Sequence, residues 1–395
     1  MHLSLSFTLL QKCSLYAPQP LGTKDILICG RNIVAIEDHI DPGLFSQFSD
    51  FTSHNLEHAI VCPGLIDQHV HLIGGGGEAG PHTRTPEAQL SRLVSAGITT
   101  VVGLLGTDSI TRHPESLLAK VHALNHEGIT AYMLTGAYTV PSPTLTGSIQ
   151  KDIAFIEPVI GVKTAISDHR SSAPCTEELC RIASHARVGG LLGSKAGVTV
   201  FHMGNSKKAL DPIENILESS DVPITKLLPT HVNRQRHLFN HAIHFAQKGG
   251  YIDITSGISP IDHADTAIKP SKAIKEALDK GVPLNRITMS SDGQGSMPEF
   301  NTQGQLIGMG VAGFESLLHE VRDLVEQENL PFEDAIQPVT TNVATFLGLG
   351  SGQLQAGKVA DLLILDASLQ LQMVFAKGKC MYKDGAPCVK GTFEP

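Results

Sequence analysis

Residues 63–80 read PGLIDQHVHLIGGGGEAG. A short apolar run carrying Leu65 and Ile66 delivers two histidines, His69 and His71, with one residue between them. In an extended strand, residues i and i+2 face the same side, so both imidazoles can converge on one cation. Four glycines and an acid, Glu78, follow. Glycine lacks a Cβ and tolerates positive φ, which lets such a loop turn sharply and approach a ligand closely. A strand with two surface histidines and a flexible loop would show the same letters, so the remaining ligands have to come from elsewhere in the chain.

Downstream of this stretch the pattern repeats as apolar strand, loop and amphipathic helix. Thr85–Pro86–Glu87 has the form of a helix start, with an N-cap, a first-turn proline and an early acid, and Gly97 closes that helix. Strand candidates follow at 98–106, 129–138, 159–167, 197–204, 226–232, 251–256 and 286–293. With the PGLIDQHVH run they make eight. Helices are expected from Pro114 to Gly128, from Thr176, near 264–280, and at 311–328 and 332–346. Continuous apolar strands separated by helices indicate a parallel sheet covered on both faces. Eight such units over about 235 residues fit a closed (β/α)8 TIM-like barrel. A doubly wound open sheet is the alternative, and the number of units favours closure.

The two ends of the chain differ from the middle and resemble each other. Residues 7–16, 23–30 and 32–38 read as strands with a turn at Gly30–Arg31–Asn32, and residues 357–391 return to strands and turns. The economical division is a small β-sandwich domain from residues 1–60 and 352–395, with the barrel, 61–351, inserted between them. The N-terminal MHLSLSFTLLQKC lacks a basic region and a small-residue cleavage site, so it is read as strand rather than as a signal peptide. The seven cysteines are scattered and odd in number, without a CxxC pair, as expected of free thiols in a reducing compartment. No run approaches the length needed to span a bilayer. A net charge of −9 argues against nucleic-acid or anionic-membrane partners. A cytoplasmic enzyme is the resulting expectation.

Polar residues break the barrel pattern at particular places. His69 and His71 end strand one, Lys163 lies in strand four, His202 ends strand five, His231 strand six and Asp292 strand eight. Barrel active sites assemble at the C-terminal ends of the strands. One such residue could be a satisfied core histidine or a snorkelling lysine; six at the ends of five strands indicate a metal site. Four histidines with an aspartate suit zinc better than magnesium or calcium. They exceed what one catalytic zinc needs, which points to two metals activating a shared water.

PGLIDQHVH, Lys163, His202, His231, SSDG and the late GKVADLLIL resemble the amidohydrolase superfamily. Within it, the blocks DQHVHLIGGGGEAG, VVGLLGTDSITRHPESLLAK, LTGAY, GVKTAISDHRS, GVTVFHMG, LLPTHVNR and SSDGQGS are similar to the isoaspartyl dipeptidase family over essentially the whole chain. The resemblance implies two zinc ions per subunit, bridged by Lys163 carboxylated with CO2 to N6-carboxylysine. His69, His71 and Asp292 would hold one zinc, His202 and His231 the other. It implies hydrolysis of the isopeptide bond of a β-aspartyl dipeptide by a metal-bridging hydroxide. Asp292 would act as general base and then acid, and Tyr138 as hydrogen-bond donor to the oxyanion. Glu78 would pair with the substrate ammonium, Arg170 and Arg234 with its carboxylates, and Gly76, Thr107 and Ser296 would add supporting contacts. A homo-oligomer, octameric in the family, is implied as well. The competing reading is a cyclic-amide amidohydrolase of the dihydropyrimidinase type, which should lack Glu78 and the paired arginines. A non-catalytic scaffold would have lost metal ligands, and all six positions are filled.

Overall fold

The computed structural model describes residues 6–258, 267–300 and 306–394. Eight parallel strands form one sheet in sequence order: β1 (Leu65–Val70), β2 (Ile98–Gly103), β3 (Thr130–Gly136), β4 (Val159–Ile166), β5 (Val198–Met203), β6 (Leu227–Thr230), β7 (Ile252–Thr255) and β8 (Ile287–Ser290). Every residue of these strands is buried except Thr130 and Tyr132, as expected of a parallel sheet covered on both faces. The helices that follow the strands in turn are α1 (Leu90–Ser95), α2 (Pro114–Glu127), α3 (Ile149–Phe155), α4 (Thr176–Gly193), α5 (Asp211–Ser219), α6 (Arg236–Gln247), α7 (Pro270–Asp279) and α8 (Ser316–Glu326). The sheet closes beyond the strand ends. Val70 bridges Gly293 in parallel, and the His71 N–H donates to the Gly293 carbonyl at 2.9 Å. Asp67 ties the same seam from inside by accepting from the Ser291 N–H and hydroxyl. The molecule is therefore a TIM-like barrel.

Inside the barrel the two-residue period sorts apolar from chemical side chains. Val198, Val200 and His202 share one face of β5. Val200 pairs with Lys163 across the β4–β5 ladder. Below them Ile66, Val102, Leu134, Val198 and Leu228 form an apolar cluster closed by Phe346 and Leu347 of the helix Thr341–Leu347. Apolar packing thus fills one end of the barrel, and histidines, Lys163 and Asp292 occupy the other.

The chain ends form one nine-stranded sheet. Ile60–Pro63 pairs antiparallel with Leu362–Leu365 and parallel with Phe7–Tyr16, so strands from both ends share it. Hydrogen bonding is continuous throughout, and the sheet folds over a shared core. Leu10, Ile26 and Ile33 pack there with Leu362, Ile364 and Phe375, and His54 meets Phe375 edge to face with ring centroids 6.3 Å apart. The small β domain expected from both chain ends is thus present, its strands joined in one continuous sheet around a common core.

Two local expectations are refined. Thr85 does not cap a helix, and α1 starts only at Leu90. The Thr85 hydroxyl instead donates to the Gln294 carbonyl at 2.5 Å and accepts from the Gly75 N–H at 2.7 Å, which draws residues 85–89 into the loop. The expected helix 332–346 is broken at Gln337–Val339, where Pro338 intervenes. A hairpin, Ser296–Phe300 with Leu306–Val311, follows β8 where no element was read. The unassigned stretch Ile258–Pro270 and the first half of the helix expected near 264–280 lie largely outside the described residues, as do residues 1–5 of the N-terminal strand; α7 begins at Pro270.

Candidate active site

The loop after β1 is built around its glycines. Gly76 has φ +69°, and a Cβ there would come within 2.5 Å of the Thr83 carbonyl. Buried Arg112 braces the turn, donating from Nε to the Ile73 carbonyl at 2.9 Å and from Nη2 to the Thr85 carbonyl at 3.0 Å. The loop carries Glu78 over the barrel mouth, where the Ser296 hydroxyl donates to it at 3.3 Å and Arg170 Nη1 at 3.0 Å.

Beneath Glu78 lie the residues singled out in the sequence. Asp292 Oδ1 lies 3.2 Å from His71 Nε2 and 3.5 Å from His69 Nε2. One ligand atom from each of His69, His71 and Asp292 falls within 4.8 Å of the others, a possible metal site. Lys163 is fully buried, with Nζ 2.9 Å from His69 Nε2. Ring centroids of His231 lie 4.8 Å from those of both His69 and His202. All the candidate residues except His69 and Lys163 line a single cavity of about 350 Å³, including Thr107, Gly76 and Arg234; the two exceptions sit directly behind its wall.

The local electrostatics favour neutral imidazoles. Burial, the largest cause, drives His69, His202 and His231 well below their ordinary range. Burial also pulls the Lys163 amine down to about 7. Burial opposes the charge of Asp292, but His231 and His71 outweigh it and hold the carboxyl at about 2. Burial raises the Tyr138 hydroxyl far above its usual value, so it remains a donor. Two buried nitrogens here have no hydrogen-bond partner among the described residues, His71 Nδ1 and His231 Nε2. Buried polar atoms are rarely left so. His231 and Asp292 also adopt left-handed backbone at φ 62° and 56°, a strain of order 1–2 kcal/mol each that collects at functional sites.

Several supporting residues escaped the sequence reading. Thr255 Oγ1 lies 2.7 Å from His231 Nδ1, which leaves His231 Nε2 free. Asp253 accepts from Gln68, Thr230, Thr288 and Ser290, and Thr230 Oγ1 lies 3.5 Å from His69 Nδ1. Asp168 accepts from His202 Nε2 at 2.9 Å, while the Tyr138 hydroxyl lies 2.6 Å from His202 Nδ1. His202 thus has both nitrogens engaged and must release one to offer a lone pair to a cation. The only signal for these residues was a polar letter inside an apolar strand, as with Asp253 in YIDITS, or next to a candidate, as with Asp168 before Arg170.

Barrel and site together define a TIM-barrel hydrolase. The Amidohydrolase family model matches residues 60–391. The solved β-aspartyl dipeptidase of the thermophilic, keratin-degrading Fervidobacterium islandicum AW-1, in complex with β-Asp-Leu dipeptide, superposes with a TM-score of 0.88 at 38% identity, covering 96% of this chain and 98% of that one. A dihydroorotase of Bacillus cereus (strain AH820) is 26% identical over 380 residues, 85% of each protein. Dihydropyrimidinase of Brevibacillus agri NCHU1002 has a TM-score of 0.69 at 15% identity over 98% of this chain and 97% of that one, and shares the fold. The chain belongs to the amidohydrolase family and, within it, to the β-aspartyl dipeptidases.

Proposed function

We propose that this chain is a zinc-dependent hydrolase of β-aspartyl (isoaspartyl) dipeptides. The observation that carries the reading is the meeting of one carboxylate, Glu78, and two guanidinium groups, Arg170 and Arg234, in the cavity over the histidine–aspartate cluster. The substrate has one ammonium and two carboxylates near its scissile amide, so the charges match in number and sign. Without substrate, Glu78 and Arg170 satisfy each other. Binding then exchanges the one Glu78–Arg170 pair for three pairs with substrate, and no substrate charge is left bare in the pocket.

The donor set fits two zinc ions. His69, His71 and Asp292 would hold one, His202 and His231 the other, and Lys163 carboxylated by CO2 would bridge them. The unpartnered His231 Nε2 and the grouping of Asp292 Oδ1 with His69 and His71 fit ligation, and the Lys163 amine, being partly unprotonated at neutral pH, fits carboxylation. Bound zinc supplies Lewis-acid polarisation and an acidified water. The chain's own groups do the rest. Ionised Asp292 takes the proton of the attacking water and returns it to the leaving amine. The Tyr138 hydroxyl donates to the developing oxyanion. Glu78, steadied by Ser296, holds the ammonium; Arg170 and Arg234 hold the carboxylates; Gly76 and Thr107 shape the rim. A homo-oligomer in the cytoplasm belongs to the same reading, and the strongly exposed Phe155, Leu191 and Leu192 at the ends of α3 and α4 suit subunit contact. The division at about residues 60 and 352 belongs to it too.

A second reading, hydrolysis of a cyclic amide, has the dihydroorotase likeness behind it. Steady-state kinetics of the zinc-loaded protein on β-Asp-Leu, dihydroorotate and hydantoin separates the two. β-Asp-Leu is expected to lead in kcat/KM by about a hundredfold or more, as charge-reading sites allow. Preference for either ring would overturn the dipeptidase reading.

A further inference from the structure

Asp168 lies outside the roles assigned so far, yet its carboxylate is almost fully buried and holds two groups of the site together. Arg170 Nε donates to Oδ1 at 3.0 Å, Arg170 Nη2 to Oδ2 at 2.9 Å, and the Arg170 backbone N–H to Oδ1 at 2.8 Å. This fork-on-fork geometry fixes the guanidinium plane. Only Nη1 remains to face the cavity, where it meets Glu78. The same plane lies over the Tyr138 ring, 5.4 Å from its centroid. Oδ2 also accepts from His202 Nε2.

The backbone around Asp168 is itself constrained. Ser167 is left-handed at φ 55°, its hydroxyl donates to the Ala209 carbonyl, and its carbonyl accepts the Ser206 N–H at 2.9 Å. A Cβ on Gly204, just past β5, would come within 2.3 Å of the Asp168 Cα. Glycine at 204 therefore lets the β4 loop dock against the end of β5 with the carboxylate in place.

We propose that Asp168 is a positioning residue that acts through Arg170. By taking two of the three guanidinium nitrogens it presents the third as a single, fixed donor for a substrate carboxylate. Because the carboxylate belongs to the ground state as much as to the transition state, losing this orientation affects binding more than turnover. The inference rests on the dipeptidase reading, which has its own test in wild-type turnover.

A double-mutant cycle on the metal-loaded full chain decides it. With β-Asp-Leu, Asp168→Asn is expected to raise KM by about tenfold or more while kcat stays within about threefold. In an Arg170→Ala background the same substitution is expected to add nothing to KM. Gly204→Ala, which displaces the loop without changing charge, is expected to raise KM in the same way and supplies the readout should Asp168→Asn fold poorly. Additive effects in the cycle, or a wild-type KM in Asp168→Asn or in a folded Gly204→Ala, would overturn the role of Asp168. Wild-type turnover with such a result removes Asp168 alone; no wild-type turnover removes the dipeptidase reading.

Discussion

The Tyr138 hydroxyl, 2.6 Å from His202 Nδ1 and held protonated by burial, can play its part by donating a hydrogen bond. Tyr138→Phe keeps the ring and its packing under Arg170 and deletes only that donor. Loss of one oxyanion donor typically costs about 10²–10³ in kcat, so that drop with KM nearly unchanged is expected in steady-state assays; a drop below tenfold would remove the hydroxyl from the chemistry. At this scale the sequence was most informative where a residue type clashed with its setting. Histidine, lysine and aspartate at the ends of apolar strands stood out, and those residues meet in the structure. Asp168, Asp253 and Thr255 did not stand out, because aspartate and threonine near strand ends are ordinary letters. Their importance depends on which neighbour each faces across the barrel, and that is a property of the closed fold.

Among the elements, regular barrel strands and long helices were legible, and connections were not. α2 and α4 start where proline or early acids announce them, at Pro114 and Thr176. The Thr85–Pro86–Glu87 signature misled because tertiary hydrogen bonds from Gly75 and to Gln294 used the capping hydroxyl. The terminal sheet offers a test of its own. Asp361, just before Leu362–Leu365, accepts from the Lys377 N–H at 2.7 Å, and burial pushes its carboxyl up to about 6 despite that bond and the nearby lysine charge. A raised folded-state value means that its contribution to stability is greatest below the unfolded value near 4 and is lost as pH rises through 6. Asp361→Asn keeps an acceptor and removes the charge. It is expected to stabilise the fold by up to about 3 kcal/mol at pH 7.5, with the gain vanishing below pH 4, as read by denaturant unfolding at both values. Equal stability at pH 7.5 would count against a buried, ionised Asp361.

At the scale of the whole molecule, the barrel was readable because eight strand–helix units repeat, and the shared terminal sheet because both ends carry strands in a chain whose middle alternates. The single folded sheet was not readable, since pairing between distant segments leaves no local trace. If the cluster of four histidines, a lysine and an aspartate holds metal as proposed, metal binding is linked to the stability of the whole fold. Under the proposed function, stripping zinc with a chelator is expected to lower Tm by about 5 °C, the equivalent of about 3–4 kcal/mol of linked binding for a chain of this size. Scanning calorimetry with metal analysis checks it, and an unchanged Tm on full metal loss would argue against a structural share for the ions. No helix among the described residues is long and apolar enough to cross a membrane. The sheet knitted from both ends also sets an order of assembly. Ile60–Pro63 gains its antiparallel partner Leu362–Leu365 only after the entire barrel has left the ribosome. Leu362, Ile364 and Phe375, which complete the core shared with Leu10, Ile26 and Ile33, emerge equally late. The edge of Ile60–Pro63 that Leu362–Leu365 covers therefore stays without that partner while the barrel between them is made, which is when an open strand edge is most prone to wrong pairing.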